Sequence, residues 1–339
     1  MSPLSRTRRL AAPSLLVAAA VALSACSESS SEPEAQTVEG SLQLGWIANV
    51  ENMGPYVADR DGNFTDHGVD VTITPGGPSV TVEPLVQSGR ALVGLSSTDV
   101  IARANAEGAD LVIVGATLQV NPTSIMSLAE SPVETLGDLV GKRLCIQTSG
   151  VSVMDGVLEQ NGIDPADVEY VTAEFDPSPL VTGDCDAFVS LLNNQPVTLQ
   201  LQGVETESFT LNEYGYEAWG NVVFTTRAAL EDDATRQAVR GIVAGLQDGW
   251  ATALADTDGA AEYMVEGPGA SQNLDLEQQE LAAAAFVELI ATPDTDEAGL
   301  LAMTDEGIAA NIATLEEQGI EGDLDALFDT SILDEIAQS

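Results

Sequence analysis

The chain has 339 residues and a formal net charge of −43, because 54 acidic residues outnumber 11 basic ones. Its length allows two domains of ordinary size. Its negative charge opposes binding to nucleic acid and to anionic surfaces, so we expect no nucleic acid among its partners.

The first 25 residues predict a secretory signal peptide. Arg6, Arg8 and Arg9 make a basic start, and an apolar run follows at residues 15–23. This run is too short for a stable membrane-spanning helix, and no later run reaches the roughly 18 apolar residues that such a helix needs. We therefore expect the mature protein to be secreted.

A candidate lipid anchor follows the apolar run. Residues 23–26 read Leu-Ser-Ala-Cys, which resembles the lipobox of bacterial lipoproteins, in which the cysteine is acylated. The resemblance implies that Cys26 is lipidated and holds the protein to the outer face of a membrane. The alternative is ordinary cleavage nearby that leaves a chance cysteine. Residues 26–40 are polar and predict a disordered tether.

Beyond the tether, the patterns predict a parallel sheet with helices between its strands. Short apolar or alternating runs predict strands at 42–47, 69–74, 91–95 and 111–116. Helical patterns, of which two end at a glycine, cover 54–61, 80–87 and 100–107.

A second unit of the same kind follows. Its strands are predicted at 143–147, 169–172 and 187–192, and its helices at 151–161 and 177–182. Residues 222–226 predict a strand of return. From residue 228 the sequence is helical almost to the end, and residues 274–291 have the clearest apolar face.

Two segments, 85–99 and 180–195, repeat one arrangement: the end of a helix, a glycine, a short strand and a polar tip. The repeat predicts two similar α/β lobes that face a shared cleft. Buried strands of such lobes present ligands at their carboxyl ends.

The predicted lobe boundaries follow from this repeat. The first lobe comprises residues 41–122 and 218–339, and the second comprises 123–217. The chain crosses between the lobes near residues 120–130 and 205–222, where hinges are expected, and a cleft between domains is a favoured place for a ligand.

Two cysteines remain after the anchor, Cys145 and Cys185, at or near the start of two predicted strands. These strands are commonly neighbours in a doubly wound lobe, so a disulfide is geometrically possible outside the reducing cytosol. Two buried free thiols are the alternative. The chain has one histidine, His67, and no CxxC spacing, so no metal site is expected.

Several phrases in the chain are similar to those of extracellular solute-binding proteins of ABC importers, in the branch that includes thiamine-pyrimidine-precursor, nitrate, sulfonate and taurine binders. They cover roughly residues 40–325, and their order and spacing carry the resemblance. The phrases are Trp46-Ile47-Ala48-Asn49, Tyr56-Val57-Ala58, Gly68-Val69-Asp70-Val71, Leu139-Val140-Gly141-Lys142-Arg143, Phe175-Asp176-Pro177-Ser178-Pro179-Leu180, Asp186-Ala187-Phe188 and Asn194-Gln195-Pro196.

The resemblance implies a two-lobed periplasmic-binding-protein clamshell of type II. Each lobe is expected to be an α/β unit with a parallel-rich sheet flanked by helices, and two hinge crossings join the lobes. The implied partners are a small-molecule ligand, an ABC permease and an ATPase. The protein is expected to be a monomer without a cofactor or a metal.

Candidate ligand-binding residues of the first lobe lie at predicted strand ends. Trp46 is either a core aromatic or a ring that stacks on a flat ligand. Asn49 either caps a turn or binds ligand, and Tyr56 either packs within its helix or contacts ligand. Ser97 and Thr98 are capping candidates whose helix also points free N–H groups at the cleft.

The remaining candidates belong to the first crossing and to the second lobe. Gln119 is either a hinge residue or a site residue. The loop Thr148-Ser149-Gly150 begins a helix and suits an oxygen atom of many ligands. Asn194 and Gln195 are amides at a strand end, where unpaired polar groups are costly. Tyr214 and Trp219 either line the cleft or cover the hinge, and Trp250 is expected in the core.

Gln195 marks a departure from the family pattern. Pyrimidine-precursor binders of this type have Asn-Glu-Pro where this chain has Asn194-Gln195-Pro196. A carboxylate suits a cationic aminomethyl group, whereas the neutral amide of Gln195 favours a neutral or differently substituted heterocycle, including a flavin-like one.

The expected function is therefore the capture of a small, flat heterocycle by a transport component. The first alternative is a binder of nitrate, sulfonate or taurine anions. A pyrimidine-synthesising enzyme of the same fold is a second alternative, but it uses a lysine-bound pyridoxal phosphate, a histidine and a cysteine-rich motif. This chain has one lysine, Lys142, and no cysteine cluster, so we expect no enzyme. A surface adhesin or sensor is a third alternative.

Overall fold

Ten strands form two five-stranded sheets in the computed structural model, which describes residues 37–77 and 79–339. The predicted signal peptide, Cys26 and most of the predicted tether lie outside these residues. The strands are β1 Val38–Gln43, β2 Val69–Thr74, β3 Val93–Ser96, β4 Leu111–Ala116, β5 Thr123–Leu128, β6 Arg143–Ile146, β7 Glu169–Thr172, β8 Ala187–Leu191, β9 Thr206–Thr210 and β10 Val222–Thr226.

Fourteen α-helices within the described part of the chain cover the sheets. They are α1 Met53–Asp61, α2 Asn63–Asp66, α3 Glu83–Gln87, α4 Thr98–Ala106, α5 Val151–Gln160, α6 Ser178–Thr182, α7 Gln195–Leu201, α8 Arg227–Glu231, α9 Asp233–Ala255, α10 Thr257–Glu266, α11 Leu276–Ile290, α12 Pro293–Ala298, α13 Asp305–Glu317 and α14 Ser331–Ala337. Short 3₁₀ helices lie at Val50–Asn52, Leu136–Leu139, Thr148–Gly150, Pro165–Asp167, Leu211–Tyr214, Ala270–Gln272 and Asp325–Leu327.

The two sheets have the same topology. The strand order is β2-β1-β3-β10-β4 in the first lobe and β7-β6-β8-β5-β9 in the second. In each sheet the fourth strand runs antiparallel to both of its neighbours, whereas the first three strands are parallel. The sheets are therefore mixed and parallel-rich, and the predicted two-lobed α/β architecture is confirmed.

The core of the first lobe lies between its sheet and the long helix α9. Strand β4 is buried along its whole length, which explains its wholly apolar sequence. Glycines let α1 and α9 approach closely: a Cβ added to Gly249 would lie 2.4 Å from the carbonyl oxygen of Gly54. Trp250, on the same helix, is 1% exposed, so the prediction that it belongs to the core is confirmed.

Cys145 and Cys185 form a disulfide bond in the second lobe, with their Cα atoms 5.7 Å apart. Cys145 lies in β6 and Cys185 lies two residues before β8, and these strands are parallel neighbours in the sheet. The sequence left open whether the two thiols are bridged, and the structure answers that question.

The two crossings are hydrogen-bonded to each other. They join β4 to β5 and β9 to β10. The backbone N–H groups of Thr117 and Leu118 both donate to the carbonyl oxygen of Asn221, at 2.9 and 3.1 Å. The side-chain amide of Asn121 donates to the carbonyl oxygen of Ala218 at 2.5 Å. The crossings therefore form one paired segment between the lobes.

Several predicted elements need correction. Strand β1 begins at Val38, so the predicted tether (26–40) ends too late and the strand predicted at 42–47 starts too late. The sequence Val-Glu-Gly-Ser does not reveal where the strand begins, because these residues of β1 are at most partly buried. Strands β5 and β9 were missed because they mix polar and apolar residues. The first sheet is not wholly parallel, since β10 inserts between β3 and β4.

No helix within residues 37–77 and 79–339 is both long and apolar enough to cross a membrane.

Candidate functional site

A cavity of about 230 Å³ opens at the carboxyl ends of β6 and β8. All of the described residues that line it belong to the second lobe or to the second crossing. The apolar members are Ile146, Val153, Met154, Phe175, Val189, Leu191 and Leu211, and the others are Thr123, Gln147, Gly150, Ser190, Gln195 and Tyr216. A complete small-molecule pocket is typically about 300–1,000 Å³, so this cavity is smaller than a complete site.

The lining is uncharged: among the described residues, no Asp, Glu, Lys, Arg or His lines the cavity. Its floor is stabilised by the hydroxyl groups of Ser124 and Ser190, which hydrogen-bond across β5 and β8 at 2.8 Å. Burial of a charge without a partner is costly, whereas apolar walls with a few neutral polar groups suit a neutral ring.

Gln195 is buried at this cavity, with 1% of its surface exposed. Its Oε1 atom accepts a hydrogen bond from the backbone N–H of Leu191 at 2.8 Å, which ties α7 to the end of β8. Its Nε2 atom donates to the carbonyl oxygen of Phe175 at 3.3 Å. The amide therefore joins two backbone segments that line the cavity.

Three polar groups at the cavity are more available to a ligand. Gln147, Thr123 and the Tyr216 hydroxyl make no side-chain hydrogen bond within the described part of the chain. Burial, together with the nearby Asp99 carboxylate, raises the pKa of Tyr216 above its ordinary value, so its hydroxyl stays protonated and can donate. Gly150 precedes α5, whose first turn has no side-chain cap.

In the first lobe, Trp46 lies in the loop that follows β1 and is 37% exposed. Its carbonyl oxygen accepts a hydrogen bond from the N–H of Gly76 at 2.8 Å. A Cβ at Gly76 would lie 2.3 Å from the carbonyl oxygen of Leu44, so only glycine permits this approach. The turn at 75–77 thus supports the loop while the indole remains accessible for stacking.

Asn49 and Glu51 follow in the same loop. Asn49 caps the short helix Val50–Asn52, because its Oδ1 accepts from the N–H of Glu51 at 3.2 Å. The Val50 N–H donates to Gln279 of α11, which fixes the loop against the helical tail. Burial raises the pKa of the Glu51 carboxyl to about 7.

The other candidates near the first sheet and the crossing make internal contacts. The Ser97 hydroxyl donates to Asp99 at 2.6 Å, and the fully buried Thr98 donates its hydroxyl to the carbonyl oxygen of Trp219 at 3.2 Å. The Gln119 amide donates to the carbonyl oxygens of Ala116 and Ala302. Thr98 and Gln119 thus stabilise the region of the crossings.

The remaining predicted residues are dispersed. Tyr56 packs on the core of the first lobe, where burial and the nearby Tyr263 raise its pKa. Thr148 and Asn194 are exposed beside the cavity, and Ser149 belongs to the short helix Thr148–Gly150. Of the predicted site residues whose side chains the structure describes, only Gly150 and Gln195 come together at the cavity of the second lobe.

The two aromatic residues whose position the sequence left open do not line the cavity. Trp219 is 3% exposed and packs edge-to-face on Phe328, with ring centroids 5.9 Å apart. Tyr214 packs on Phe209 at 5.3 Å. Tyr216, between them in the chain, lines the cavity instead.

Sequence reasoning missed Gln147, Phe175 and Tyr216 as site residues. Gln147 is the last residue of the strand predicted at 143–147, and this position at a strand end is the signal that could have identified it. Phe175 stands in one of the phrases that carry the family resemblance. Tyr216 had no such signal, because only the path of the second crossing brings it to the cavity.

Within the described residues, no group of three or more His, Cys, Asp or Glu side chains is placed to hold a metal ion.

Comparison with known proteins agrees with this architecture. Residues 49–260, more than half of the chain, match the family model described as NMT1/THI5 like. A formylaminopyrimidine-binding protein of Halalkalibacterium halodurans is 27% identical over 79% of this chain and 79% of its own length.

Two other relatives match over shorter regions. A putative thiamine biosynthesis protein of Haemophilus influenzae is 27% identical over 54% of this chain and 60% of its own length. A 4-amino-5-hydroxymethyl-2-methylpyrimidine phosphate synthase of Legionella pneumophila is 26% identical over 47% of this chain and 51% of its own length. The chain thus spans only about half to three fifths of these two proteins.

Among solved structures, the periplasmic aliphatic sulphonate binding protein of Escherichia coli superposes with a TM-score of 0.59. The two chains are 18% identical, and the match covers 81% of this chain and 85% of the other. This likeness concerns the fold. The chain has the periplasmic-binding-protein fold and belongs to the NMT1/THI5-like family.

Proposed function

We propose that this chain is the solute-binding component of an ABC importer and that it captures a small, flat heterocycle between its lobes. The observation that carries the proposal is the uncharged, mainly apolar cavity at the carboxyl ends of β6 and β8. A neutral ring can bury its faces there without leaving a buried charge unpaired. The ligand class is thiamine-pyrimidine-precursor-like or flavin-like, and the relative named for binding formylaminopyrimidine supports the first.

In the proposed mechanism, the solute first enters the cavity of the second lobe. In this mechanism, Gln147 and Tyr216 hydrogen-bond the polar edge of the solute, and Thr148, Ser149 and Asn194 are its neighbours. Closure about the paired crossings brings Trp46 and Asn49 of the first lobe onto the ring. The closed form is favoured because these contacts exist only when the lobes are shut. An ABC permease and its ATPase would recognise that form.

An anion is the second candidate ligand, and one observation favours it. Gly150 lines the cavity just before α5, and the first turn of this helix has no side-chain cap, so its N–H groups can bind an oxyanion. However, no cationic side chain among the described residues lines the cavity to balance a sulfonate or nitrate. The net charge of −43 also opposes anions.

A ligand screen tests the choice between these candidates. Thermal shift and calorimetry would include 4-amino-5-hydroxymethyl-2-methylpyrimidine, riboflavin, nitrate, taurine and methanesulfonate. We expect one ring compound to raise the melting temperature and to release or absorb heat at one site per chain. Tight binding of an anion without binding of any ring would overturn the heterocycle proposal.

A synthase activity has less support in the positions of the basic residues. Lys142 is exposed and precedes β6, so it lies at the opposite end of the strand from the cavity. His67 is exposed and pairs with Asp248 at 2.7 Å in the first lobe. Neither lines the cavity in which a ring would bind.

We also propose that Cys26 anchors the protein by lipid to the outer face of the membrane, where it acts as a monomer. Metabolic labelling with a palmitate analogue should mark the wild-type chain and not Cys26→Ser, which should be released into the medium. Equal retention of both proteins in the membrane would contradict the anchor. Neighbouring genes for a permease and an ATPase would argue against an adhesin or a sensor.

A further inference from the structure

Phe175 is the most exposed of the large apolar side chains that are exposed in the described part of the chain. It has 64% of its surface accessible. Five of the seven phenylalanines, by contrast, are at most 7% exposed. Leaving an aromatic ring in water forgoes the stabilisation that its burial would provide. Single exposed apolar side chains are common, so the significance of this ring depends on where it lies.

The exposed ring lies at a cavity. Phe175 lines the cavity of the second lobe, together with the apolar residues at the ends of β6 and β8. It follows β7, the outer strand next to β6, so its loop passes over the carboxyl edge of the sheet. A ligand in the cavity would cover the ring and remove it from water.

The backbone that carries the ring is held at several points. Gln195 donates its side-chain amide to the carbonyl oxygen of Phe175 at 3.3 Å. The next residue, Asp176, accepts hydrogen bonds from the N–H and the hydroxyl of Ser178 at 3.0 and 2.6 Å. The ring is therefore presented by a fixed loop, which reduces the entropy lost when a ligand packs on it.

We propose that Phe175 is the second-lobe aromatic that stacks on the ring of the solute, and that Gln195 positions the loop that carries it. The exposed Trp46 of the first lobe would cover the opposite face on closure. This inference rests on the proposed function, because it requires a flat ligand. It also gives Gln195 a role that differs from direct ligand contact: both of its amide atoms already bind backbone groups.

The test is calorimetric titration of the full-length chain with 4-amino-5-hydroxymethyl-2-methylpyrimidine and with riboflavin. Phe175→Ala should weaken binding of whichever ring the wild-type protein takes by about tenfold to a hundredfold, since both apolar contact and stacking are lost. Phe175→Trp should retain binding, and Phe175→Leu should restore only part of it. Val181→Ala is the matched control, because Val181 is 44% exposed in α6 and does not line the cavity.

Gln195→Glu tests the positioning role. A carboxylate still accepts from the Leu191 N–H but cannot donate to the Phe175 carbonyl oxygen, so the loop is released while α7 stays tied to β8. We expect Gln195→Glu to weaken binding in the wild-type background and to have little effect in the Phe175→Ala background. Equal effects in both backgrounds would overturn the positioning role.

The outcomes separate this inference from the proposed function. If the wild-type protein binds a ring and Phe175→Ala binds it within twofold, the stacking proposal is overturned alone. The same holds if Phe175→Leu binds as tightly as the wild type, since leucine packs without stacking. If the wild-type protein binds neither ring and binds taurine or methanesulfonate, both proposals fail.

Discussion

In both lobes, a buried polar residue at the start of the helix after the third strand donates a hydrogen bond to the backbone carbonyl oxygen of an aromatic residue. β3 and β8 are each the third strand of their sheet, and Thr98 and Gln195 begin the helices that follow them. Both residues are buried, at 0% and 1% exposed. Thr98 donates to the carbonyl oxygen of Trp219 at 3.2 Å, and Gln195 donates to that of Phe175 at 3.3 Å.

The aromatic side chains held in this way have opposite environments. Trp219 is 3% exposed and packs on Phe328, whereas Phe175 is 64% exposed beside the cavity. The polar residue at the strand end is thus an anchor in both lobes. The two lobes differ in the exposure of the loop that this residue holds. The buried loop closes the edge of the first sheet, whereas the exposed loop leaves the edge of the second sheet able to receive a ligand.

The largest effect is expected from removing the disulfide bond of the second lobe. The Cys145–Cys185 bond closes a 40-residue separation, for which the chain-entropy model gives about 4 kcal/mol of stabilisation. Replacing both cysteines by serine should lower the free energy of unfolding in urea by roughly 2–4 kcal/mol. A reducing agent should do the same to the wild-type chain and leave the double variant unchanged. An unaltered midpoint in the variant would show that the bond adds no stability.

The first lobe has a carboxyl group with a raised pKa, that of Glu51, whereas no carboxylate among the described residues lines the cavity of the second lobe. Burial raises the pKa of Glu51 to about 7, so the folded protein favours its protonated form. Its contribution to stability is full below the ordinary pKa of a glutamate and is lost as the pH rises through about 7. Glu51→Gln should therefore stabilise the protein at pH 8 by roughly 1–3 kcal/mol, and the difference should shrink toward pH 5.

Urea unfolding of the wild type and Glu51→Gln at pH 5, 6, 7 and 8 measures this difference. Glu39→Gln is a matched control, because Glu39 is exposed in β1 of the same lobe. A gap between wild type and Glu51→Gln that stays constant with pH would contradict the assignment.

The third prediction separates the two anchors. Thr98→Val removes the hydroxyl but leaves the Thr98 N–H bonded to the Trp219 carbonyl oxygen, so we expect a loss of about 1 kcal/mol of stability. Affinity for the ring that the wild type binds should stay within twofold. Gln195→Glu should weaken that binding as well as lower stability, because it releases the Phe175 loop and places a carboxylate at a buried position. If Thr98→Val weakened binding as strongly as Gln195→Glu, the functional contrast between the two anchors would be wrong.

The smallest effects are expected from breaking two partly exposed ion pairs, one in each lobe. Arg143 binds Asp186 at 2.9 Å across the starts of β6 and β8, and its guanidinium lowers the pKa of that carboxyl. Arg60 binds the adjacent Asp61 at 2.6 Å in α1. Both pairs are about one third exposed, so solvent screening limits their contributions.

Asp186→Asn should lower stability at pH 7 by less than about 1 kcal/mol. Asp61→Asn should lower stability by less still, because the Arg60–Asp61 pair joins only two neighbouring residues of one helix. The contribution of Asp186 is present above the ordinary pKa of an aspartate and is lost as the pH falls through its lowered value. Chemical denaturation at pH 7 in low and high salt measures both. A larger effect of Asp61→Asn would reverse the ranking.

Much of the fold could be predicted because most of its strands are short and distinctly patterned. The strands at 69–74, 111–116, 169–172 and 222–226 have the predicted bounds, and the repeat at 85–99 and 180–195 corresponds to equivalent strands of the two sheets. Strands β5 and β9 could not be identified in this way, since their burial comes from pairing with β8 and with each other rather than from an apolar sequence.

The site was less predictable than the fold. Gly150 and Gln195 line the cavity, because helix starts after a strand reach the edge of the sheet. Thr98 followed the same rule and is instead buried under the second crossing. Phe175 and Tyr216 come from loops whose paths depend on tertiary packing, which no local pattern encodes.

In the proposed capture mechanism, the position of the cavity also affects how quickly a solute is bound and released. Its described lining belongs to the second lobe and the second crossing, so a solute can be held before the first lobe arrives. The rate of capture then depends on the second lobe. In that mechanism the residence time depends on reopening, in which the paired crossings at Asn121 and Asn221 would move together. Changes in the Trp46 loop should alter residence time far more than capture rate.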